Sequence, residues 1–141
     1  MNEKMLVVPG VLESLSPIRE YVMSAANSVG LIKDKSYRLA LAVDEIATNV
    51  ITHGYEENGI SGDIAVGISP GDGELKVVLE DTGVPFDPCA RELPSADDLS
   101  IPLSDRQIGG LGIFLSIGGV DEFRYERNGE INRNIFVMKI D

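Results

Sequence analysis

Two polar residues in the segment Asp44–Asn49 have the type and spacing of a metal-dependent site. Glu45 and Asn49 are four residues apart, so on a helix their side chains are neighbours on one face. An amide oxygen is a hard ligand that suits Mg²⁺, and a carboxylate one turn earlier can orient or deprotonate a nucleophile beside that ion. The alternative is an ordinary solvated polar face, because such a pair is common on helices.

A second candidate lies where an apolar segment ends, at Leu79–Gly83. A carboxylate at a strand end, here Asp81, can accept a hydrogen bond from an exocyclic amino group such as that of adenine. Guanine presents an acceptor at the same position and would be repelled. Gly83 would let the backbone approach a flat ring closely. The alternative interpretation is a plain Asx-type turn.

A third candidate is the glycine-rich segment Gly109–Phe114. Glycines that lead into a helix leave free N–H groups at the positive end of the helix dipole, which suits phosphates. The segment is not a P-loop, and it fails the dinucleotide-binding pattern because position 115 is Leu. A flexible hinge is the alternative. Together, a metal ligand, a base reader and a phosphate cradle in this order predict Mg-ATP binding.

Periodicity and turn residues predict the elements that position these candidates. Three helices are predicted: from Ser16-Pro17 to Gly30, from Asp34 to about His53 with Gly54 as the stop, and from Gly110 to Ile117. Five strands are predicted: Lys4–Val8, Ile64–Ile68, Leu75–Leu79, Val120–Arg127 and Ile131–Ile140, with turns at Pro70–Gly73 and Asn128-Gly129. The stretch between Asp81 and Gly109 has the length of a lid or binding segment.

Hairpin connections between the strands predict a mixed or antiparallel sheet, which the helices must cover on one face. The fold class is therefore α+β, a two-layer sandwich, and 141 residues fit a single domain spanning 1–141.

Composition restricts the partners. The net charge is −11 and no cluster of Lys and Arg occurs, so direct binding of nucleic acid is not expected. A basic protein partner suits this charge, as does a purely solubilising role. The longest apolar run, Leu39–Val43, is too short to cross a membrane, and Met1–Lys4 lacks the build of a signal peptide. With Cys89 as the single cysteine, a reducing cytoplasm is expected, and Cys89 is interpreted as incidental.

These motifs resemble those of the GHKL ATPase superfamily, which includes gyrase, heat-shock chaperones, histidine kinases and MutL. Glu45-x-x-x-Asn49 matches its N box, Asp81-x-Gly83 its first glycine box and Gly110-x-Gly112 its second. Within that group the whole chain is similar to the small bacterial anti-sigma factor serine-protein kinases. The likeness is greatest over Ala42–Tyr55 and Gly109–Leu115.

The resemblance implies the Bergerat ATP-binding fold and a role for each motif. Asn49 would bind Mg²⁺ that bridges the ATP phosphates, and Glu45 would be the general base for a serine hydroxyl. Asp81 would read the adenine amine, Gly83 would lie beneath the ring, and the ATP lid would span about 88–109. The further residues implied in nucleotide binding are His53, Phe86, Arg106, Gly109, Gly110, Leu111, Gly112 and Ile113. Arg106 lies further from Gly110 than the family pattern leads us to expect, and His53 also fits a histidine at a helix C-terminus.

The function that the resemblance implies is a Mg-ATP-dependent serine-protein kinase that acts as an anti-sigma regulatory factor. Family members phosphorylate a serine of a STAS-type anti-anti-sigma partner, sequester a sigma factor and usually form homodimers. Two alternatives stay open. One is a non-catalytic, ATP-gated interaction module, and the other is a detached histidine-kinase-type catalytic domain. The second is disfavoured because the chain has no predicted dimerisation helix with a phosphoacceptor histidine.

Overall fold

An antiparallel five-stranded sheet forms one layer of the protein. The computed structural model describes residues 5–85 and 118–140. Its strands are β1 (Met5–Pro9), β2 (Asp63–Gly71), β3 (Glu74–Asp81), β4 (Glu122–Asn128) and β5 (Ile131–Lys139). The strand order is β1-β2-β3-β5-β4, and every neighbouring pair is antiparallel. The predicted α+β class is confirmed, with the sheet in its antiparallel form.

Two helices form the second layer, α1 (Leu15–Ser28) and α2 (Lys33–Asn49). In α1 the buried residues recur every four positions, at Ile18, Val22 and Ala26, which gives one apolar stripe. Both helices share a single core with alternate residues of the strands, so they cover one face of the sheet. The core residues of α2 and the central strands are Leu39, Ala40, Ala42, Val43, Ile46, Ala47, Ile64, Val66, Leu75, Val77, Leu79, Phe136 and Met138.

The start of α1 differs from the sequence prediction. Ser16-Pro17 was expected at the cap and first helical position, but α1 begins at Leu15 after a 3-10 turn over Leu12–Ser14. Ser14 holds the cap position, yet its hydroxyl donates to the Pro9 carbonyl at 2.6 Å instead of accepting from a helical N–H. The hydroxyl thus ties the helix start to the end of β1. The predicted helix end is close, since Gly30 adopts φ +78° two residues after α1.

The start of α2 is also shifted. Asp34 was predicted as its cap, but Ile32 occupies that position and Asp34 lies in the first turn. There its carboxylate pairs with Arg38, one turn on, and stands near the positive end of the helix dipole.

The end of α2 shows the largest departure from expectation. Gly54 was predicted to stop the helix, but α-helical structure ends at Asn49 and a π-helical segment, Val50–Tyr55, carries it past Gly54. A short 3-10 turn over Glu56–Asn58 follows, and the chain reverses at Gly59 with φ +64°. A π turn holds more residues per turn than an α-helix and is frequently found at functional sites.

The side chain of Tyr55 fixes the end of the π segment to the sheet. It is 2% exposed, its hydroxyl donates to the Asp63 carbonyl at 2.8 Å, and it accepts from the Thr82 N–H at 3.0 Å. The ring lies against two glycines, because a Cβ on Gly10 would come within 2.5 Å of it and one on Gly62 within 2.9 Å. One tyrosine therefore links the end of β1, the start of β2 and the end of β3.

Tyr55→Phe should lower the free energy of unfolding by about 1–3 kcal/mol, because the Asp63 carbonyl and the Thr82 N–H both lose a partner. Urea denaturation measures the change. Tyr37→Phe is the matched control, since Tyr37 is 62% exposed on α2 and should change stability by less than about 0.5 kcal/mol. Equal effects of the two changes would contradict the anchoring role.

Several predicted features lie outside the described residues. They are the short helix Gly110–Ile117, the lid at about 88–109, and the residues Phe86, Cys89, Arg106, Gly109, Gly110, Leu111, Gly112 and Ile113. These stay predictions. Among the described helices, none is both long enough and apolar enough to cross a bilayer.

Candidate functional site

Asp81 closes β3 with a buried carboxylate that is only half engaged. The residue is 4% exposed, and its Oδ1 accepts two hydrogen bonds of 2.9 Å, from the Gly83 N–H and from Asn132 Nδ2. The bond to Gly83 forms the Asx-type turn that the sequence allows. No described residue donates to Oδ2. The turn and the base-reading interpretation are therefore compatible, because the turn uses one oxygen and leaves the other.

The electrostatics of Asp81 are set mainly by its burial. Loss of hydration raises the pKa of the Asp81 carboxyl above its ordinary value, and the hydrogen bonds from Asn132 and Gly83 and the charge of Arg127 only partly oppose this. A buried carboxylate of this kind has little water to solvate it. Its ionised form gains strongly from a further N–H donor, since charge-assisted hydrogen bonds are the stronger kind.

Asn132 is the residue of this site that the sequence prediction missed. It is the direct register partner of Asp81 across β3 and β5 and is 2% exposed. Its Nδ2 also donates to the Gly83 carbonyl at 3.0 Å, while its Oδ1 accepts from Tyr125 Oη at 2.6 Å and from Arg127 Nη1 at 2.7 Å. The amide thereby fills both donor and both acceptor positions.

A signal for Asn132 does exist in the sequence. The strand Ile131–Lys139 is mostly apolar, yet Asn132 and Asn134 interrupt it at positions that alternate onto the buried face. Buried amides need partners, so two of them on one face indicate a polar site. Asn134 is likewise 2% exposed, and its Oδ1 has no hydrogen-bond partner among the described residues.

Asn49 and Glu45 occupy the last turns of α2. Asn49 is 7% exposed, and its Nδ2 donates to the Glu45 carbonyl at 2.8 Å. A carbonyl only accepts, so this bond fixes the amide with Oδ1 directed away from the helix backbone, as a metal ligand requires. Glu45 is half-buried, and no described residue bonds to its carboxylate. The neighbouring acid Asp44 differs, because it pairs with Arg19 at 2.8 Å.

Gly54 and Gly83 bring the two halves of the site together. The Val84 N–H donates to the Gly54 carbonyl at 3.0 Å, and a Cβ on Gly83 would lie 2.8 Å from that same oxygen. The Asp81 turn is therefore in contact with the π segment, at a position five residues beyond Asn49. The backbone of the π segment leaves no room for a Cβ at position 83, so a glycine is required there whether or not it also faces a nucleotide ring.

His53 lies on the exposed side of the π segment. Its Nδ1 is 2.8 Å from Glu57 Oε1, and its carbonyl accepts from Asn58 Nδ2 at 2.6 Å. The side chain is 43% exposed. This is the geometry of a histidine at a helix C-terminus, which was one of its two interpretations.

Residues 8–140 match the family model described as the Histidine kinase-like ATPase domain. The chain belongs to this family. The match covers nearly the whole chain, so the predicted membership of the GHKL group is confirmed.

Within the family, the chain is similar in sequence to members that are named as serine-protein kinases. The chain is 33% identical over 111 residues to "Serine-protein kinase RsbW" of Halalkalibacterium halodurans, which covers 78% of this chain and 67% of that protein. It is 29% identical over 109 residues to the protein of the same name in Bacillus cereus, covering 77% and 67%. The serine-protein kinase class that the resemblance implied is the class by which these relatives are named.

Solved structures support the fold. The RsbU and RsbW domains of a Mycobacterium tuberculosis protein superpose with a TM-score of 0.65 at 13% identity, covering 99% of this chain and 32% of that one. The histidine kinase domain of a blue-light activated kinase from Erythrobacter litoralis gives 0.50 at 19% identity, covering 89% and 61%. At these identities the likeness concerns the fold alone.

Gly83→Ala should lower the free energy of unfolding by about 1–3 kcal/mol, because its Cβ would meet backbone atoms of Gly54 that cannot turn aside. The opposing glycine provides the control. Gly54→Ala should be tolerated, since its Cβ would lie 3.8 Å from the nearest atom. Chemical denaturation of both variants tests this asymmetry, and equal losses would refute the one-sided contact.

Asp81→Asn should raise the free energy of unfolding at pH 7. The folded-state pKa of Asp81 is raised, so ionisation disfavours the folded protein at every pH above that pKa, while below the unfolded pKa of about 4 neither state is ionised. The gain should therefore shrink as the pH falls from 7 towards 4. An asparagine keeps both hydrogen bonds to Oδ1.

Urea denaturation at a series of pH values measures this difference. Asp72→Asn is the control for removing one negative charge, because Asp72 lies in an exposed turn at φ +55°, which asparagine tolerates. A variant that is less stable than the parent at pH 7, or a difference that does not vary with pH, would contradict the assignment.

Proposed function

We propose that this protein is a Mg-ATP-dependent serine-protein kinase that also acts as an anti-sigma regulatory factor. The observation that carries the proposal is the half-engaged, buried Asp81 carboxylate. The turn that follows it contacts, through Gly83 and Val84, the π segment that continues the helix bearing Asn49 and Glu45. The names of the curated relatives support the same class of activity.

Adenine recognition follows from Asp81. Its Oδ2 stands as an acceptor at the end of a central strand, and the turn after it is held by Asn132 and the π segment. An amino group at position 6 of a purine satisfies that acceptor, whereas a carbonyl oxygen there would face the carboxylate and be repelled. The site therefore suits ATP better than GTP.

Magnesium binding is assigned to Asn49. The described residues contain no group of three or more His, Cys, Asp or Glu side chains that could hold a metal ion, so a single amide oxygen with phosphate oxygens and waters forms the proposed ligand set. This arrangement fits an ion that keeps several waters. When bound, Mg²⁺ would offset the negative charge of the transferred phosphoryl group.

Glu45 is the proposed general base. Its carboxylate is half-buried, four residues before Asn49, and free of the ion pair that occupies Asp44. It would take the proton of the attacking serine hydroxyl as the serine oxygen bonds to the γ-phosphorus and the bond to the β-phosphate oxygen breaks, releasing ADP. Gly110 and Gly112 are proposed to hold the phosphates, beneath a lid at about 88–109 that also carries Arg106.

The partner proposed for phosphorylation is a STAS-type anti-anti-sigma protein, with a sigma factor as the second partner and a cytoplasmic homodimer as the working form. The net charge of −11 suits a partner surface that is basic. These partners rest on the family resemblance.

Glu45→Gln should reduce phosphotransfer by about 10²–10⁴-fold, because the amide cannot accept the serine proton. Affinity for Mg-ATP should stay within about threefold. The assay mixes the purified chain with ATP and a STAS-type protein encoded beside it, then follows the mass of that partner. Asp44→Asn is the matched control, since it removes the neighbouring acid without removing the proposed base.

The outcomes separate the competing functions. Unchanged transfer by the Glu45→Gln variant would refute the role of that residue. If the unaltered protein binds ATP but the partner's mass stays constant, the non-catalytic, ATP-gated module is the better description. If transfer occurs only to a histidine of a separate protein, the histidine-kinase-type domain is.

A further inference from the structure

The side-chain amide of Asn132 holds the turn Asp81–Gly83 by hydrogen bonds to both of its ends. Its Nδ2 donates to the Asp81 Oδ1 and to the Gly83 carbonyl, so it bonds to both ends of the turn at once. A carboxylate with one oxygen held by two donors cannot rotate about its Cβ–Cγ bond without breaking them. The direction of Oδ2 is therefore set by Asn132 and by the Gly83 N–H together.

The amide is itself held from the other side by β4. Tyr125 Oη and Arg127 Nη1 both donate to Asn132 Oδ1, at 2.6 and 2.7 Å. These bonds fix which amide atom faces Asp81, because Oδ1 must meet the donors of β4 and Nδ2 must meet the acceptors of the turn. The charge of Arg127 also polarises the amide, which strengthens the Nδ2 donors in a site with little water.

We propose that Asn132, with Tyr125 and Arg127, forms a positioning relay for base selection, which makes the site choose a 6-aminopurine nucleotide over a 6-oxopurine nucleotide. The proposal rests on the nucleotide binding proposed above and assigns its selectivity to residues outside the motifs. Asn132 is a positioning residue, because it acts on the ligand through the orientation of Asp81.

The physical reason lies in the difference between the two bases. A purine with an amino group at position 6 donates to Oδ2 only where that oxygen is directed at the amino group. A carboxylate in another orientation loses this charge-assisted hydrogen bond. A 6-oxopurine gains nothing from the correct orientation. Removing a hydrogen bond of the relay should therefore lower the affinity for the 6-aminopurine nucleotide and leave the affinity for the 6-oxopurine nucleotide nearly unchanged.

The experiment measures equilibrium affinities for ATP and for GTP by calorimetry or by displacement of a fluorescent nucleotide, with no turnover involved. Asn132→Leu keeps the approximate side-chain shape and removes both donors to the turn. We expect its ATP affinity to fall about tenfold or more and its GTP affinity to change less than about threefold. Tyr125→Phe removes a single hydroxyl from the relay and should reduce the ATP preference by roughly threefold.

Asn134→Leu is the matched control. It makes the same exchange on the same strand and face, two residues on, and its Oδ1 has no partner to lose within residues 5–85 and 118–140. Its ratio of ATP to GTP affinity should stay within about twofold of the parent. An equal loss of preference in this variant would show that any change on the face of β5 disturbs the pocket, and the relay would be refuted.

The remaining outcomes each decide the question. If the unaltered protein binds neither nucleotide, the proposed function fails and the relay fails with it. If the unaltered protein prefers ATP and a folded Asn132→Leu variant keeps the same preference, only the relay is refuted. Should Asn132→Leu not fold, as judged by circular dichroism, Tyr125→Phe decides, and an unchanged preference in that variant overturns the relay.

Discussion

The contact between the π segment and the ends of the strands is the constraint on which the rest of the site depends. Tyr55 binds the turn after β3 through the Thr82 N–H, and Gly54 receives the Val84 N–H from the same turn. These two bonds hold the helix layer against one end of the sheet. The helix that bears Glu45 and Asn49 and the turn after Asp81 are far apart in the sequence, and this contact brings them together.

The site also carries an internal conflict. Burial of the Asp81 carboxylate disfavours its charged form, while recognition of a base requires an acceptor that is not already satisfied by the protein. Asn132 and the Gly83 N–H reduce the unfavourable effect through one oxygen only. The fold thus retains a destabilising group, which a ligand of the proposed kind would compensate.

Sequence patterns predicted the fold class, both helices and the strands well, because alternation and helical spacing report directly on which face is buried. They failed at the ends of helices, where Ser14 bonds to Pro9 and where a π segment passes through Gly54. Gly54 has no positive φ, and no local pattern distinguishes a glycine inside a helix from one that stops it. Asn132 was missed for a related reason, since its partner Asp81 is 51 residues away and only strand register brings them together.

The π segment also sets which face of α2 is presented to the Asp81 turn. An α-helix advances by about 100° per residue, and a π turn accommodates one more residue for each turn. Between Asn49 and the anchored Gly54–Tyr55 pair, this wider turn changes the angle about the helix axis between the α-helical part and its anchor. Because the anchor is fixed by Tyr55, the direction of the Asn49 and Glu45 side chains depends on the number of residues in Val50–Tyr55. Their sequence spacing places them on one face, but the widened turn decides where that face points.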